Sequence, residues 1–88
     1  MGKLTSSIPR SPLNSLLLHA LDMDHYFVNT HAQPNGDHEV HKVGCYYMPS
    51  DRKYLGQFPT CAGAVLEARK HYAQVNGCKH CAKDCHTQ

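Results

Sequence analysis

The sequence of 88 residues predicts an α+β domain in which a small antiparallel sheet packs against one main helix. Two segments rich in strand-forming residues flank a turn signal, and a third short segment of the same kind follows them. Apolar residues then recur with the spacing of one helix face. The hydrophobic fraction of 41% allows only a small core, and domains of this size commonly add a disulfide, a metal or a partner chain.

Residues 1–22 differ in composition from the rest of the chain. They are rich in Ser, Pro and Leu, contain no cysteine and end in an apolar stretch. Ser11 and Pro12 suit the N-cap and the first position of a short helix over residues 13–21. Such a helix is marginal alone, so we expect it to dock on the domain or on a second copy, or to fray. The chain therefore divides into an N-terminal extension, residues 1–22, and a domain, residues 23–88.

A β-hairpin is predicted at the start of the domain. Residues 25–30 (HYFVNT) and 38–43 (HEVHKV) are the two strands, and the sequence PNG between them is a strong turn signal. Because side chains alternate across a strand, Glu39 and His41 share one face and Val40 takes the other.

A third strand and the main helix follow the hairpin. Residues 54–58 (YLGQF) predict the strand, and Thr60 is the best N-cap for the helix. One helix face would carry Cys61, Val65, Ala68, Tyr72 and Val75. Asn76 and Gly77 then supply the left-handed exit expected at a helix end. We therefore expect the helix to lead directly into Cys78.

The segment GCKHCAKDCH, residues 77–86, concentrates three cysteines and two histidines. Cys78-x-x-Cys81 after a glycine is a compact turn that directs two thiolates at one ion. Upstream, His41 and Cys45 have a spacing that fits a strand end folding back through a glycine. One imidazole and three thiolates make a closed tetrahedral set, so the sequence predicts one structural Zn²⁺ per chain.

Alternative ligand sets stay open at this point. A helical turn after Cys81 would bring Cys85 to the same side, so Cys85 or His86 could replace one of the four ligands. The chain could also bind no metal. Cys61 lies near a predicted helix N-terminus, which could activate its thiolate, but its position on the apolar stripe favours a small buried residue.

A dithiol oxidoreductase using Cys78 and Cys81 is the competing enzyme hypothesis. Reactive C-x-x-C pairs normally lie at a helix N-terminus within a βαβ unit, where the helix dipole lowers the thiol pKa. Here the pair follows a predicted helix end and no βαβ pattern is visible. The sequence therefore favours a protein that is not an enzyme.

The ordered blocks EVH, GC, YLGQF and GCKHC resemble two groups of proteins. His41-x3-Cys45, the third strand, the Ala-rich helix and Cys78-x2-Cys81 are similar to the zinc-binding domain of Ada-type DNA-repair proteins. Residues 26–86 also resemble a group of short, uncharacterised bacterial proteins with the same blocks. The resemblance implies a zinc-stabilised α+β fold with two ligands from a hairpin and two from a C-x-x-C; it does not imply methyl transfer.

Charge and hydropathy limit the partners. The formal charge is only +2 and the basic residues are scattered along the chain. This distribution favours a protein partner, or self-association through the Leu16–Leu18 segment. Binding to nucleic acid is the alternative. No small-molecule substrate is indicated. No apolar stretch could span a membrane and no signal peptide is recognisable, so we expect a cytoplasmic protein. Cysteines in that compartment favour metal or redox chemistry over a disulfide framework.

Overall fold

The computed structural model describes residues 22–87. Its elements in chain order are β1 (Asp24–Asn29), β2 (His38–Lys42), β3 (Arg52–Phe58), α1 (Cys61–Ala68), β4 (Val75–Gly77) and a 3-10 helix (Lys83–Cys85). The predicted α+β class is confirmed. The expected helix over residues 13–21 and its docking lie outside the described residues.

The sheet has four strands in the order β3-β1-β2-β4. β1 and β2 form the predicted antiparallel hairpin, with Val28 opposite Val40, and β3 pairs antiparallel with the other edge of β1. β4 pairs in parallel with β2, with Val40 opposite Gly77. The sheet is therefore mixed, whereas the sequence predicted an antiparallel sheet of three strands.

The core lies on one face of the sheet. Val28 and Val40 are fully buried there, and α1 covers them with Ala64 and Ala68, which are fully buried as well. Small side chains on the helix allow its backbone to approach the strands closely. Because side chains alternate, Phe27 and His41, which lie opposite each other on β1 and β2, face away from the helix.

The helix begins where the sequence predicts. Thr60 has extended backbone angles, and its hydroxyl accepts a hydrogen bond from the Ala62 N–H, as an N-cap should. The helix ends at Ala68, however, and the chain continues in turns through Tyr72. The predicted continuation of the helical face to Val75 is therefore wrong.

The free edge of β2 explains this early end. The His38 N–H donates to the carbonyl of Gln74, and the Cys78 N–H donates to the carbonyl of Val40. A strand at this edge satisfies backbone groups of β2 that a longer helix would leave unpaired. Tyr72 stacks on His38, with ring centroids 3.8 Å apart, and so packs at the sheet edge rather than on a helix face.

Gly77 has a different role from the one predicted. It lies within β4 and its φ is not positive, so it is not a left-handed helix exit. A Cβ at Gly77 would lie 2.7 Å from the carbonyl oxygen of Ala82 and 2.8 Å from the Cβ of Cys85. The glycine is therefore required because the C-terminal segment crosses directly over the strand.

A disulfide joins Cys61 to Cys85, with the two Cα atoms 6.2 Å apart. It ties the first residue of α1 to the 3-10 helix that follows Cys81. Cys61 is buried in the core, as predicted, but its sulfur is bonded to Cys85, a pairing not expected from the sequence, which favoured metal or redox chemistry over disulfides. Disulfides persist mainly in oxidising compartments, so this pairing weighs against the cytoplasmic location, which stays a prediction.

Candidate metal centre

Four predicted ligands come together at one end of the sheet. The donor atoms of His41, Cys45, Cys78 and Cys81 all lie within 4.8 Å of one another. The Cys45 and Cys78 sulfurs are 3.9 Å apart, and the Cys81 sulfur is 3.8 Å from Nδ1 of His41. Ligands bound tetrahedrally at about 2.3 Å from an ion are about 3.8 Å from one another. The group is therefore positioned to bind a metal ion.

Two chain reversals bring the ligands together. His41 is on β2, and the chain then turns back through Gly44, so that Cys45 lies close to His41. Gly44 has a φ of +86°, which glycine adopts without strain. Cys78 follows β4 directly. A second turn, closed by a hydrogen bond from the Ala82 N–H to the Cys78 carbonyl, returns Cys81 to the same point. The parallel pairing of β4 with β2 thus aligns the two halves of the site.

Each of the three sulfurs accepts a hydrogen bond from a backbone N–H. The pairs are Tyr47 N–H to Cys45 at 3.4 Å, His80 N–H to Cys78 at 3.4 Å, and Lys42 N–H to Cys81 at 3.3 Å. Two of these donors lie two residues beyond the cysteine they contact. Such bonds favour the negatively charged form of sulfur, which is the form that binds a metal.

Glu39 orients the histidine ligand. Its Oε1 lies 3.4 Å from Nε2 of His41, while Nδ1 of His41 points toward the sulfurs. His41 is almost fully buried, at 2% exposure, and burial lowers its pKa, with Glu39 opposing that shift. Burial therefore favours the neutral imidazole, with Nδ1 directed toward the sulfurs and Nε2 beside a carboxylate, and a carboxylate near the second nitrogen is common for metal-bound histidines.

Burial disfavours the thiolate form of Cys81 in the absence of an ion. It raises the pKa of the Cys81 thiol, and hydrogen bonding with Cys45 adds to the effect. The thiolate is the form of cysteine that binds a metal. A bound cation would reverse the balance, because a coordinating thiol is deprotonated by the ion itself.

The two reserve ligands lie outside this group. Cys85 is bonded to Cys61, and Nδ1 of His86 is 2.9 Å from the carbonyl oxygen of Gly77, to which it can donate a hydrogen bond. Sequence reasoning assigned no role to Glu39, although its place on the same strand face as His41 was the available signal. It also missed the Cys61–Cys85 pair, because no spacing rule links two cysteines that are 24 residues apart.

The fold and the site together define a small α+β domain with a Cys/His group positioned to bind a metal ion. Comparisons with protein-family models, with curated proteins and with solved structures yield no match to this chain. The resemblances to the Ada-type zinc domain and to the short bacterial proteins therefore stay predictions. Within residues 22–87, no helix is long and apolar enough to cross a membrane.

Proposed function

We propose that the chain is a structural zinc module that acts through macromolecular interaction rather than catalysis. The observation that carries this proposal is the convergence of four donor atoms within 4.8 Å, with a backbone N–H on each sulfur. The two halves of this group are more than 30 residues apart in sequence, as the 33-residue separation of Cys45 and Cys78 illustrates. An ion would therefore fasten the hairpin to the C-terminal segment.

The ligand chemistry favours zinc over other divalent ions. Three thiolates and one imidazole form a soft, tetrahedral set, which suits Zn²⁺, whereas Mg²⁺ and Ca²⁺ prefer six or more oxygen ligands. Zinc binding in small modules contributes about 10 to 16 kcal/mol, which becomes folding free energy when the unfolded chain has no preformed site. A core this small benefits directly from such a contribution.

A structural role follows from the number of ligands. Four protein ligands complete a tetrahedral shell and leave no position for a reactive water, so we do not propose hydrolysis. Oxidoreductase chemistry at Cys78 and Cys81 is the competing proposal. The pair follows β4 and does not lie at the N-terminus of an α-helix, where the helix dipole would activate a thiol. What remains is a domain whose exposed surfaces bind another molecule.

Cobalt substitution tests this proposal. Co²⁺ added to the metal-free full chain should give the intense visible absorption of a tetrahedral ion, together with a sulfur-to-cobalt charge-transfer band whose strength reflects three thiolates. Zn²⁺ should displace the cobalt stoichiometrically and abolish both bands. Cys45→Ser should weaken the charge-transfer band by about one third. A weak, octahedral spectrum in the wild-type chain would contradict the proposal.

A further inference from the structure

The sheet face opposite α1 is partly exposed at β1 and β3, and this part carries aromatic and cationic side chains. In the register of β1 and β3, Phe27 lies opposite Tyr54 and Asn29 lies opposite Arg52, all on the side away from α1. Tyr54 is 52% exposed, and Arg52 is exposed as well. Among residues 22–87, α1 covers only the other face and the part of this face formed by β1 and β3 is accessible to a partner, whereas His41, on the same face at β2, is buried.

The side chains on this face hold one another in place. The rings of Phe27 and Tyr54 are 5.3 Å apart, and the guanidinium carbon of Arg52 lies 5.2 Å from the centre of the Phe27 ring. The Tyr54 hydroxyl is 2.7 Å from Nδ1 of His25 on the neighbouring strand. A side chain that is fixed before binding loses less conformational entropy when a ligand stacks on it.

The open face continues into a groove beside the metal centre. The groove has a volume of about 510 Å³. Its lining includes Asn29 and His41 from the sheet, and Tyr47, Lys79 and His80 from the loops that follow β2 and β4. The Tyr47 ring stacks on the His80 ring, with centroids 4.3 Å apart and planes 25° apart. Tyr47 and His80 each donate a backbone N–H to a sulfur of the metal group, so the position of this second aromatic surface depends on the proposed metal.

The carboxylates in the groove are already engaged. Glu39 contacts His41, and Asp37 accepts hydrogen bonds from the side-chain amides of Gln74 and Asn76. The cations Arg52 and Lys79 have no carboxylate partner within ion-pair distance among the described residues. The surface therefore combines exposed ring faces with Arg52 and Lys79, two cations outside any ion pair of the described residues. The lining of the groove also includes the engaged carboxylates of Asp37 and Glu39.

We propose that this surface binds single-stranded nucleic acid, with Tyr54 and the Tyr47–His80 pair as stacking surfaces and Arg52 and Lys79 as phosphate contacts. Unpaired bases stack on aromatic rings and on guanidinium planes, and the backbone between them follows positive charge. A protein partner would require a larger apolar area than this face offers. Phe27 is the one aliphatic or phenyl side chain that β1 and β3 place here, and the guanidinium of Arg52 lies over its ring.

This inference rests on the proposed zinc module and revises the preference for a protein partner that the small net charge suggested. The net charge is an average over the chain, whereas binding depends on where the charges are exposed. In the strand register, Tyr54 lies opposite Phe27 and Phe27 lies opposite His41, so Tyr54 is two inter-strand spacings, or roughly 10 Å, from this residue of the groove, a distance that a few nucleotides can span.

Fluorescence anisotropy with a labelled pyrimidine oligonucleotide of about 12 residues, within the site sizes of single-strand-binding domains, tests the inference. The zinc-loaded full chain should bind the single strand saturably and more tightly than a duplex of the same length. Tyr54→Ala should weaken binding about 5- to 100-fold, while Tyr54→Phe, which keeps the ring, should retain it. The retained binding in Tyr54→Phe separates stacking from any effect on folding.

Salt titration provides the matched test of charge. Arg52→Gln should reduce the slope of log affinity against log salt by about 0.7, the contribution of one phosphate contact on a single strand. Arg69→Gln removes an exposed arginine at the end of α1, on the other side of the sheet, and should leave the slope unchanged. Equal effects of the two substitutions would overturn the assignment, since binding would then be unspecific.

Other results would also overturn the inference. The first is an absence of oligonucleotide binding at low salt, and the second is unaltered binding by Tyr54→Ala. The third is found by analytical ultracentrifugation: the chain self-associates, Tyr54→Ala abolishes that association, and the oligonucleotide does not bind. The last result would assign the face to a protein interface. Metal content is measured in the same samples: a chain that holds zinc but binds no oligonucleotide contradicts only this inference, whereas a folded chain without metal contradicts the proposed function.

Discussion

Removal of the disulfide should lower the free energy of unfolding by about 3 kcal/mol. Cys61 and Cys85 are 24 residues apart, and cross-linking a loop of that length removes chain entropy from the unfolded state that corresponds to about 3.4 kcal/mol at 25 °C. The double variant Cys61→Ala, Cys85→Ala removes the link and leaves all four metal ligands in place. Both sulfurs pack at the core, so loss of packing adds to the entropic effect.

Urea unfolding followed by circular dichroism, in excess zinc, measures this difference. For a domain of this size, 3 kcal/mol corresponds to a decrease in melting temperature of roughly 12 to 24 °C. The control is the same pair of proteins in a phosphine reductant, which opens the wild-type disulfide without adding a thiol that competes for metal. The difference between the two proteins should then shrink to the packing contribution.

Equal stability of the wild type and the double variant under oxidising conditions would refute this reasoning. So would a wild-type mass that shows two free thiols on Cys61 and Cys85 after folding in air. Either result would mean that the C-terminal segment is held by the strand pairing and the metal alone. The loop enclosed by the disulfide contains Cys78 and Cys81, so the link also limits how far these ligands separate in the metal-free chain.

Three further predictions concern single side chains. Glu39→Gln should weaken zinc affinity about 10- to 100-fold in a competition titration with a chromophoric chelator, while Glu67→Gln on the exposed side of α1 should not. Gly77→Ala should lower the free energy of unfolding by about 3 kcal/mol, because the new Cβ would clash with the backbone of the C-terminal segment. Gly44→Ala should lower it by only about 1 kcal/mol, because the position has open space and the cost comes from its positive φ alone. Chemical denaturation measures both differences. Burial lowers the pKa of His41 in the folded chain, so the unfolded chain takes up this proton first as pH falls. A bound ion acts in the same direction, because it requires the neutral imidazole. The zinc-loaded protein should therefore lose stability below about pH 6.5, and His41→Asn should reduce that loss. A pH dependence that is the same in His41→Asn and in the wild type would contradict the assignment of a buried neutral imidazole.

The sequence predicted those elements that depend on local patterns. The hairpin followed from two β-rich segments around a turn, and the start of α1 followed from Thr60, whose side chain caps the helix. The metal group was predictable because C-x-x-C and His-x3-Cys each restrict their ligands to one turn of the chain. Local geometry thus accounted for both halves of the site.

The features that the sequence did not predict depend on contacts between distant segments. The apolar spacing continues past Ala68 to Val75, but the unpaired edge of β2 is a stronger requirement and draws Val75–Gly77 into a strand. The same crossing of segments explains Gly77, which is needed for a close backbone approach that no sequence pattern reveals. The disulfide is equally non-local, since its cysteines meet only after the C-terminal segment has crossed β4.

Native mass spectrometry of the full chain tests the central claim most directly. The wild type should carry one zinc ion per chain. Cys78→Ser should carry none and should lose its folded charge-state distribution. Cys85→Ser removes a cysteine outside the metal group and should keep its zinc. A wild-type chain that is folded without metal would contradict the account. So would loss of zinc from Cys85→Ser together with its retention in Cys78→Ser.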